Sequence, residues 1–354
     1  MDYFYISSQH KSYLEDYMNK VSRSFALVTP CFEEPLDAFM SVAYLICRVV
    51  DNIEDCQQPF QWQQARFSEF KELLNKPADC RDILVAWSHE HWIGLDSDQV
   101  ELMQPEGGIL LWNIYNLLPD DVRSTIQEWT LAMAVGMEQM LNPHQSPHLA
   151  DIDGISLLQT EEDYNVYCYF VAGTVGRMGT ELAINHYRLS SDIAGSLRLG
   201  SETCGRALQK TNIVKDFAED LERGLCFLPQ TWIHEVNGSP LRLNGASSEW
   251  TQKVLMNVKA ELDQSVDYVA DIPFQAFGYR LASLMCLLPA YQTLLLAVQL
   301  HQKLFTSEHH VKISRKCFSQ CFDDAKLIAK DNDALLAYSK KINNQITSEF
   351  QLLT

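Results

Sequence analysis

Between Phe39 and Val50 the chain carries one charged residue, Arg48, and one other plainly polar residue, Ser41, before Asp51-Asn52-Ile53-Glu54-Asp55. A helix apolar nearly all round is a buried helix, and a carboxylate taken into an interior must be paired or bound to a metal. Asp51 and Asp55 are four residues apart, so one helical face presents both. Tyr44 and Arg48 share their stripe, at i, i+4, i+7 and i+11. The device recurs 165 positions later in Asp216-Phe217-Ala218-Glu219-Asp220. There Gln209, Asn212, Asp216 and Asp220 form one face, with Leu208, Ile213, Val214, Phe217 and Leu221 around it. Two polar stripes on two apolar helices predict a wet, acidic hollow in a helical protein, with the four aspartates converging on it.

Hard oxygen ligands without accompanying His or Cys suit Mg²⁺, which uses a few carboxylates and completes its shell with water and substrate phosphates. A single DxxxD is more often a solvated helix face. Its repetition on apolar helices, each time beside amide or basic residues, makes metal-bound diphosphate the leading reading.

The rest of the composition narrows the field. Gly 15 and Pro 12 in 354 residues are about 4% and 3%, below the usual ~7% and ~5%. With so few breakers and long periodic segments, the expectation is all-α. A net charge of −18 argues against nucleic acid as a partner, and leaves an anionic substrate to local Arg, Lys and Mg²⁺. The ten cysteines are scattered, none in CxxC, and read as reduced, mostly buried thiols of a cytosolic protein. No secretory signal is expected at the acidic opening. His89-x-His91, His144-x₃-His148 and His309-His310 lack zinc spacing and read as surface histidines. Leu281 to Leu300 is uncharged and long enough to span a bilayer. Its Ser283, Pro289, Tyr291, Gln292, Thr293 and Gln299, with no basic flank, favour a buried core helix instead.

Periodicity predicts helices near 9–20, 33–55, 60–74, 79–91, 97–103, 121–141, 160–188, 191–222, 247–270, 273–302, 315–328 and 332–350. Thr160-x-x-Asp163 reads as a capping box, Gly107-Gly108 as a break, and Asn237-Gly238-Ser239-Pro240 as a loop. Residues 104–120 suit a short helix or a loop. No linker or repeat divides the chain, so one domain spanning 1–354 is expected, without a transmembrane segment.

Three further stretches bear on chemistry. Ser22-Arg23-Ser24-Phe25 sets a guanidinium between two hydroxyls, a grip suited to diphosphate oxygens, though a helix end with a surface Arg is as good a reading. Tyr167-Cys168-Tyr169-Phe170-Val171-Ala172-Gly173-Thr174-Val175-Gly176 places aromatics before small residues, which admit a neighbouring helix or a long apolar ligand; aromatic faces also stabilise cations. Lys312-Ile313-Ser314-Arg315-Lys316 is a basic cluster in an acidic chain, a solvated loop or helix start on the plain view and a phosphate contact on the sharper one.

Taken in order over residues 20 to 300, Ser22–Phe25, Asp51–Asp55, Tyr167–Gly176 and Gln209-Lys210-Thr211-Asn212-Ile213-Val214-Lys215-Asp216 resemble the squalene/phytoene synthase family, the head-to-head prenyl synthases. Glu54, Lys210, Cys286, Pro289 and the run Val311–Lys316 are more similar to its squalene-forming members. Tyr169-Phe170 in place of His-Tyr, Lys215 in place of Arg, and Ser314 within the basic run depart from them. The Tyr167–Gly176 segment equally matches the phytoene-forming members.

The resemblance implies an isoprenoid synthase fold, a single helical bundle around a central cavity. Two farnesyl diphosphates would condense through presqualene diphosphate, followed by NADPH reduction to squalene. It implies metal ligation by Asp51, Glu54, Asp55, Asn212, Asp216 and Asp220. Substrate would be bound by Ser22, Arg23, Ser24, Phe25, Arg48, Gln209, Asn212, Lys215 and Arg223. Tyr167 would guide proton loss, and Lys312, Arg315 and Lys316 would take NADPH. The C-terminal anchor of eukaryotic squalene synthases is expected to be missing, as in soluble bacterial forms, with only loose peripheral contact to membranes. Rival readings are a dehydrosqualene, phytoene or presqualene diphosphate synthase without the reductive step, and an inactive relative serving as an assembly factor.

Overall fold

The computed structural model describes residues 6–22, 24–141, 146–236, 238–306 and 310–351. Helices dominate, and the contacts divide into two compact units. One is built from the chain up to Leu141 with Arg177–Arg188, the other from the segment ending at Gly176 and from Leu189 onward.

In the first unit the helices are α1 (Ser8–Val21), α2 (Phe25–Val28), α3 (Leu36–Asp55), α4 (Phe60–Asn75), α5 (Cys80–Trp87), α6 (Ser97–Leu102), α7 (Pro105–Leu117) and α8 (Asp120–Leu141). α3 is the hub, packed on α1, α4, α7 and α8, and its Leu36, Val42, Leu45, Ile46, Val50 and Ile53 are sealed from solvent. Gly107 and Gly108 lie inside the first turn of α7 and do not break it. A Cβ on Gly107 would meet the Glu101 carbonyl oxygen at 2.4 Å and Tyr17 Oη at 2.7 Å, so the glycines serve close helix approach.

The second unit opens with a hairpin that periodicity did not predict, β1 (Leu149–Ile152) and β2 (Ile155–Leu158), joined antiparallel. Its two-residue turn, Asp153-Gly154, takes positive φ at both positions, +56° and +79°, the geometry for which Asp-Gly is favoured. Then come α9 (Glu161–Cys168), which starts at the expected Thr160–Asp163 capping box, and a π-helical turn over Tyr169–Gly173. α10 (Thr174–Tyr187) begins here, its part from Arg177 onward belonging to the first unit, and α11 (Ser191–Lys215) and α12 (Phe217–Glu222) resume the second. β3 (Leu225–Cys226) pairs parallel with β2. The rest is α13 (Gln230–His234), α14 (Ser248–Asp271), α15 (Phe277–Gln299), α16 (Arg315–Ile328) and α17 (Asn332–Gln351).

The helix expected over 160–188 is thus interrupted by the π turn, and that over 191–222 divides at Asp216 (φ −99°, ψ 10°). Phe274–Gln299 is long and apolar enough to cross a membrane, yet α15 packs on α11, α14, α16 and α17. Arg280 on α15 is fully buried, its guanidinium bonded to the carbonyls of Val269, Ile272 and Ala329. All ten cysteines are free thiols, seven of them buried.

Candidate functional site

The first acidic motif closes α3. From Ser41 to Asp55 every residue of that helix is buried except Tyr44, Arg48, Asp51, Glu54 and Asp55, so the polar stripe read from spacing is the solvent-reaching face of an otherwise buried helix. Arg48 lies 3.5 Å from an Asp51 carboxylate oxygen and donates to Tyr44 Oη at 3.1 Å; its Nε is buried without a partner. Burial opposes the charge on Arg48, but Asp51, Tyr44 and Asp55 hold it protonated. Burial pushes the Asp51 carboxyl up to about 6; Arg48 pulls it back and Asp55 adds to the rise.

Ser22 Oγ accepts from the Phe25 amide at 3.0 Å, and the Phe25 ring stacks on Tyr44 at 4.8 Å. Of the predicted Ser22–Phe25 segment, Phe25 is therefore seated against the stripe at Tyr44 and is bonded to Ser22; Arg23 lies outside the described residues. Tyr44 was legible as a stripe member, and the stacking gives it a part in shaping the site. Gln63 was not foreseen. Its buried amide donates to the carbonyls of Ile53, Glu54 and Cys56, satisfying the bare C-terminal end of α3. Asn52, fully buried, faces away and pairs with Gln99. The signal for both was faint, because a Gln eight residues past a helix end has no fixed sequence offset.

The second motif sits at the junction of α11 and α12. Asn212 is exposed, and Gln209, Lys215, Asp216 and Asp220 are half-buried, while Ile213, Val214, Phe217 and Leu221 are core. The helical bonds continue across the junction, Asp216 N to Asn212 O at 2.7 Å and Asp220 N to Asp216 O at 2.9 Å, so the four-residue spacing survives the break. Lys215 Nζ reaches Asp216 at 3.0 Å, and Arg223 lies 3.9 Å from Asp220. Burial raises the Asp216 carboxyl above its usual range, opposed mainly by Lys215.

His310, at the head of the basic run, lies 3.5 Å from Glu219. Lys312, Arg315 and Lys316, which follow His310 along the chain, are exposed. Ser314 is the N-cap of α16, accepting from Cys317 N at 3.1 Å; its place within the run is a helix start.

Tyr167 is buried and stacks on Phe227 at 4.4 Å. The small residues after it meet a helix. A Cβ on Gly205 would fall 2.2 Å from the Ala172 carbonyl oxygen, and one on Gly176 2.3 Å from that of Ser201, so α11 lies directly against the π turn and the start of α10.

Among the described residues no three His, Cys, Asp or Glu side chains gather into a ready-made metal cage. Each motif offers a pair of carboxylates four residues apart. That donor set fits Mg²⁺, which keeps several waters and takes substrate phosphate oxygens for the rest.

Residues 18–317 match the sequence profile of the squalene/phytoene synthase family. The chain belongs to that family. It is 26% identical over 263 residues to the squalene synthase of Candida albicans, covering 72% of this chain and 54% of that one. With the squalene synthase of Saccharomyces cerevisiae it shares 31% over 216 residues, 60% of this chain and 44% of the relative. The chain thus spans about half the length of these curated relatives. The solved structure of TcSQS with the ligand E5700 superposes with a TM-score of 0.76 at 20% identity, covering 98% of this chain and 99% of that one. The fold is the all-α isoprenoid synthase fold.

Proposed function

We propose that the protein is a Mg²⁺-dependent farnesyl-diphosphate farnesyltransferase of the squalene-forming kind, acting on two farnesyl diphosphates and using NADPH. The observation that carries this reading is the α3 stripe, in which Tyr44, Arg48, Asp51, Glu54 and Asp55 alone escape burial between 41 and 55. A half-buried guanidinium beside paired carboxylates suits a metal-bound diphosphate.

Asp51, Asp55, Asn212, Asp216 and Asp220, helped by Glu54, would hold Mg²⁺, which when bound neutralises a departing diphosphate. Arg48, Lys215 and Arg223 add positive charge, and Ser22 and Ser24 offer hydroxyl donors; both motifs serve one reaction. As one C–O bond to diphosphate breaks, the allylic cation left behind is captured by the double bond of the second chain. A proton then departs to close the cyclopropane of presqualene diphosphate, with Tyr167 guiding its loss. The second ionisation demands a dry, apolar pocket, since water would trap the cation as an alcohol. Apolar residues of α15 supply that shelter. Lys312, Arg315 and Lys316 would take the phosphates of NADPH, which when bound would supply the hydride that ends the sequence.

The test is incubation with farnesyl diphosphate and Mg²⁺, with and without NADPH, and product identification by mass spectrometry. Squalene formed only with NADPH is expected. Dehydrosqualene or presqualene diphosphate as the end product in both arms would assign a non-reductive sister activity. No diphosphate release at all would assign an inactive relative.

A further inference from the structure

The side of α11 turned away from Asn212 and Asp216 carries a buried ionic brace. Lys210 is 1% exposed. Its ammonium donates to Asn257 Oδ1 at 2.8 Å, lies 3.1 Å from Glu261 Oε1, and sits 5.0 Å from the centre of the Tyr164 ring. Arg206, one turn earlier, brings Nε and Nη2 to the same Glu261 oxygen at 3.1 and 3.0 Å. Asn257 is in turn bonded to Glu161 at 2.9 Å. These contacts tie α11 to α14 and to the start of α9.

Stability alone does not call for charge here, because well-packed apolar side chains in place of a buried ion pair are often as stable or more so. What charged hydrogen bonds add is direction. Three donors from two successive turns of α11 meet one carboxylate oxygen fixed on α14, and that geometry admits one rotation of α11 about its axis. Side-chain tips lie about 6 Å from a helix axis, so a turn of about 10° carries them about 1 Å. Misplacement on that scale can cost about 10²-fold in rate.

We propose that Lys210, acting through Glu261, is a positioning residue that sets the rotation of α11 and so aims the face bearing Gln209, Asn212 and Asp216. The inference rests on the reading of that face as a metal site. It is tested by calorimetric titration of Mg²⁺ in the presence of inorganic diphosphate, alongside urea unfolding. Lys210→Met is expected to weaken Mg²⁺ binding at least tenfold while remaining folded by circular dichroism. The double variant Lys210→Met/Glu261→Met is expected to regain the unfolding midpoint without regaining Mg²⁺ affinity. A Lys210→Met protein that titrates like wild type overturns the inference, as does a double variant that recovers affinity together with stability. Should Lys210→Met fail to fold, Asn257→Leu takes its place, with about threefold weaker binding expected and unchanged binding overturning the claim. Absence of Mg²⁺ binding in the wild type refutes the metal reading itself, a result distinct from an unaffected variant.

Discussion

Asp51→Asn isolates what it costs to keep a carboxylate ready in a buried helix. Burial holds Asp51 at about 6 against an ordinary 3.8 in the metal-free protein. The gap of about 2 pH units, at about 1.4 kcal/mol each, makes the ionised group about 3 kcal/mol less favourable folded than unfolded at pH 7. Because the folded value is the higher one, the penalty is complete above pH 6, shrinks as pH falls, and vanishes below about 4, where both states are protonated. At pH 5 about half of it remains. Asparagine keeps the shape and drops the charge. The variant is therefore expected to be about 3 kcal/mol more stable than wild type at pH 7, and about half that at pH 5, in urea unfolding with EDTA present. Turnover should meanwhile fall by several decades. A variant no more stable than wild type at pH 7, or an advantage independent of pH, would refute the account of Asp51 as a desolvated acid awaiting its counter-ion.

Three further outcomes are expected. Arg280→Met should destabilise by about 3 kcal/mol in denaturant unfolding, since the carbonyls of Val269, Ile272 and Ala329 lose a shared buried donor. Gly205→Ala should cost about 1–3 kcal/mol in the same assay, because its methyl would sit 2.2 Å from the Ala172 oxygen. Replacing Lys312, Arg315 and Lys316 together with Ala should raise the KM for NADPH about 10²-fold and leave diphosphate release from farnesyl diphosphate unchanged, as read by paired kinetic assays.

Most of the helices were legible because apolar periodicity and the capping box at Thr160 act locally; α16 begins and ends at the residues periodicity assigned, Arg315 and Ile328. Within each unit the polar stripes were legible for the same reason: i, i+4 spacing is a property of one helix. Partners fixed only by tertiary packing were not. Gln63 under the end of α3, and Glu261 under Lys210, come from other elements and carry no offset that sequence could mark. Gly107-Gly108 misled because glycine signals either a break or a close approach, and Tyr17 together with the Glu101 carbonyl decides between them. The Asp153-Gly154 hairpin signal was available and was lost among long helical patterns. The π turn at Tyr169–Gly173 had no such warning, since its residues are unremarkable helix formers apart from the glycine.

The small sheet gives the second acidic motif an unusual kind of anchorage. Gly224, with φ +77°, reverses the chain just past Arg223 and delivers Leu225 and Cys226 into register with Ser156 and Leu157. Main-chain pairing five residues beyond Asp220 thus fastens the end of α12 to the hairpin. Insertions or deletions around 149–158 would be transmitted along that backbone to the Asp220 carboxylate, so the hairpin is a place where evolution, or an engineer, can shift that side chain without replacing it.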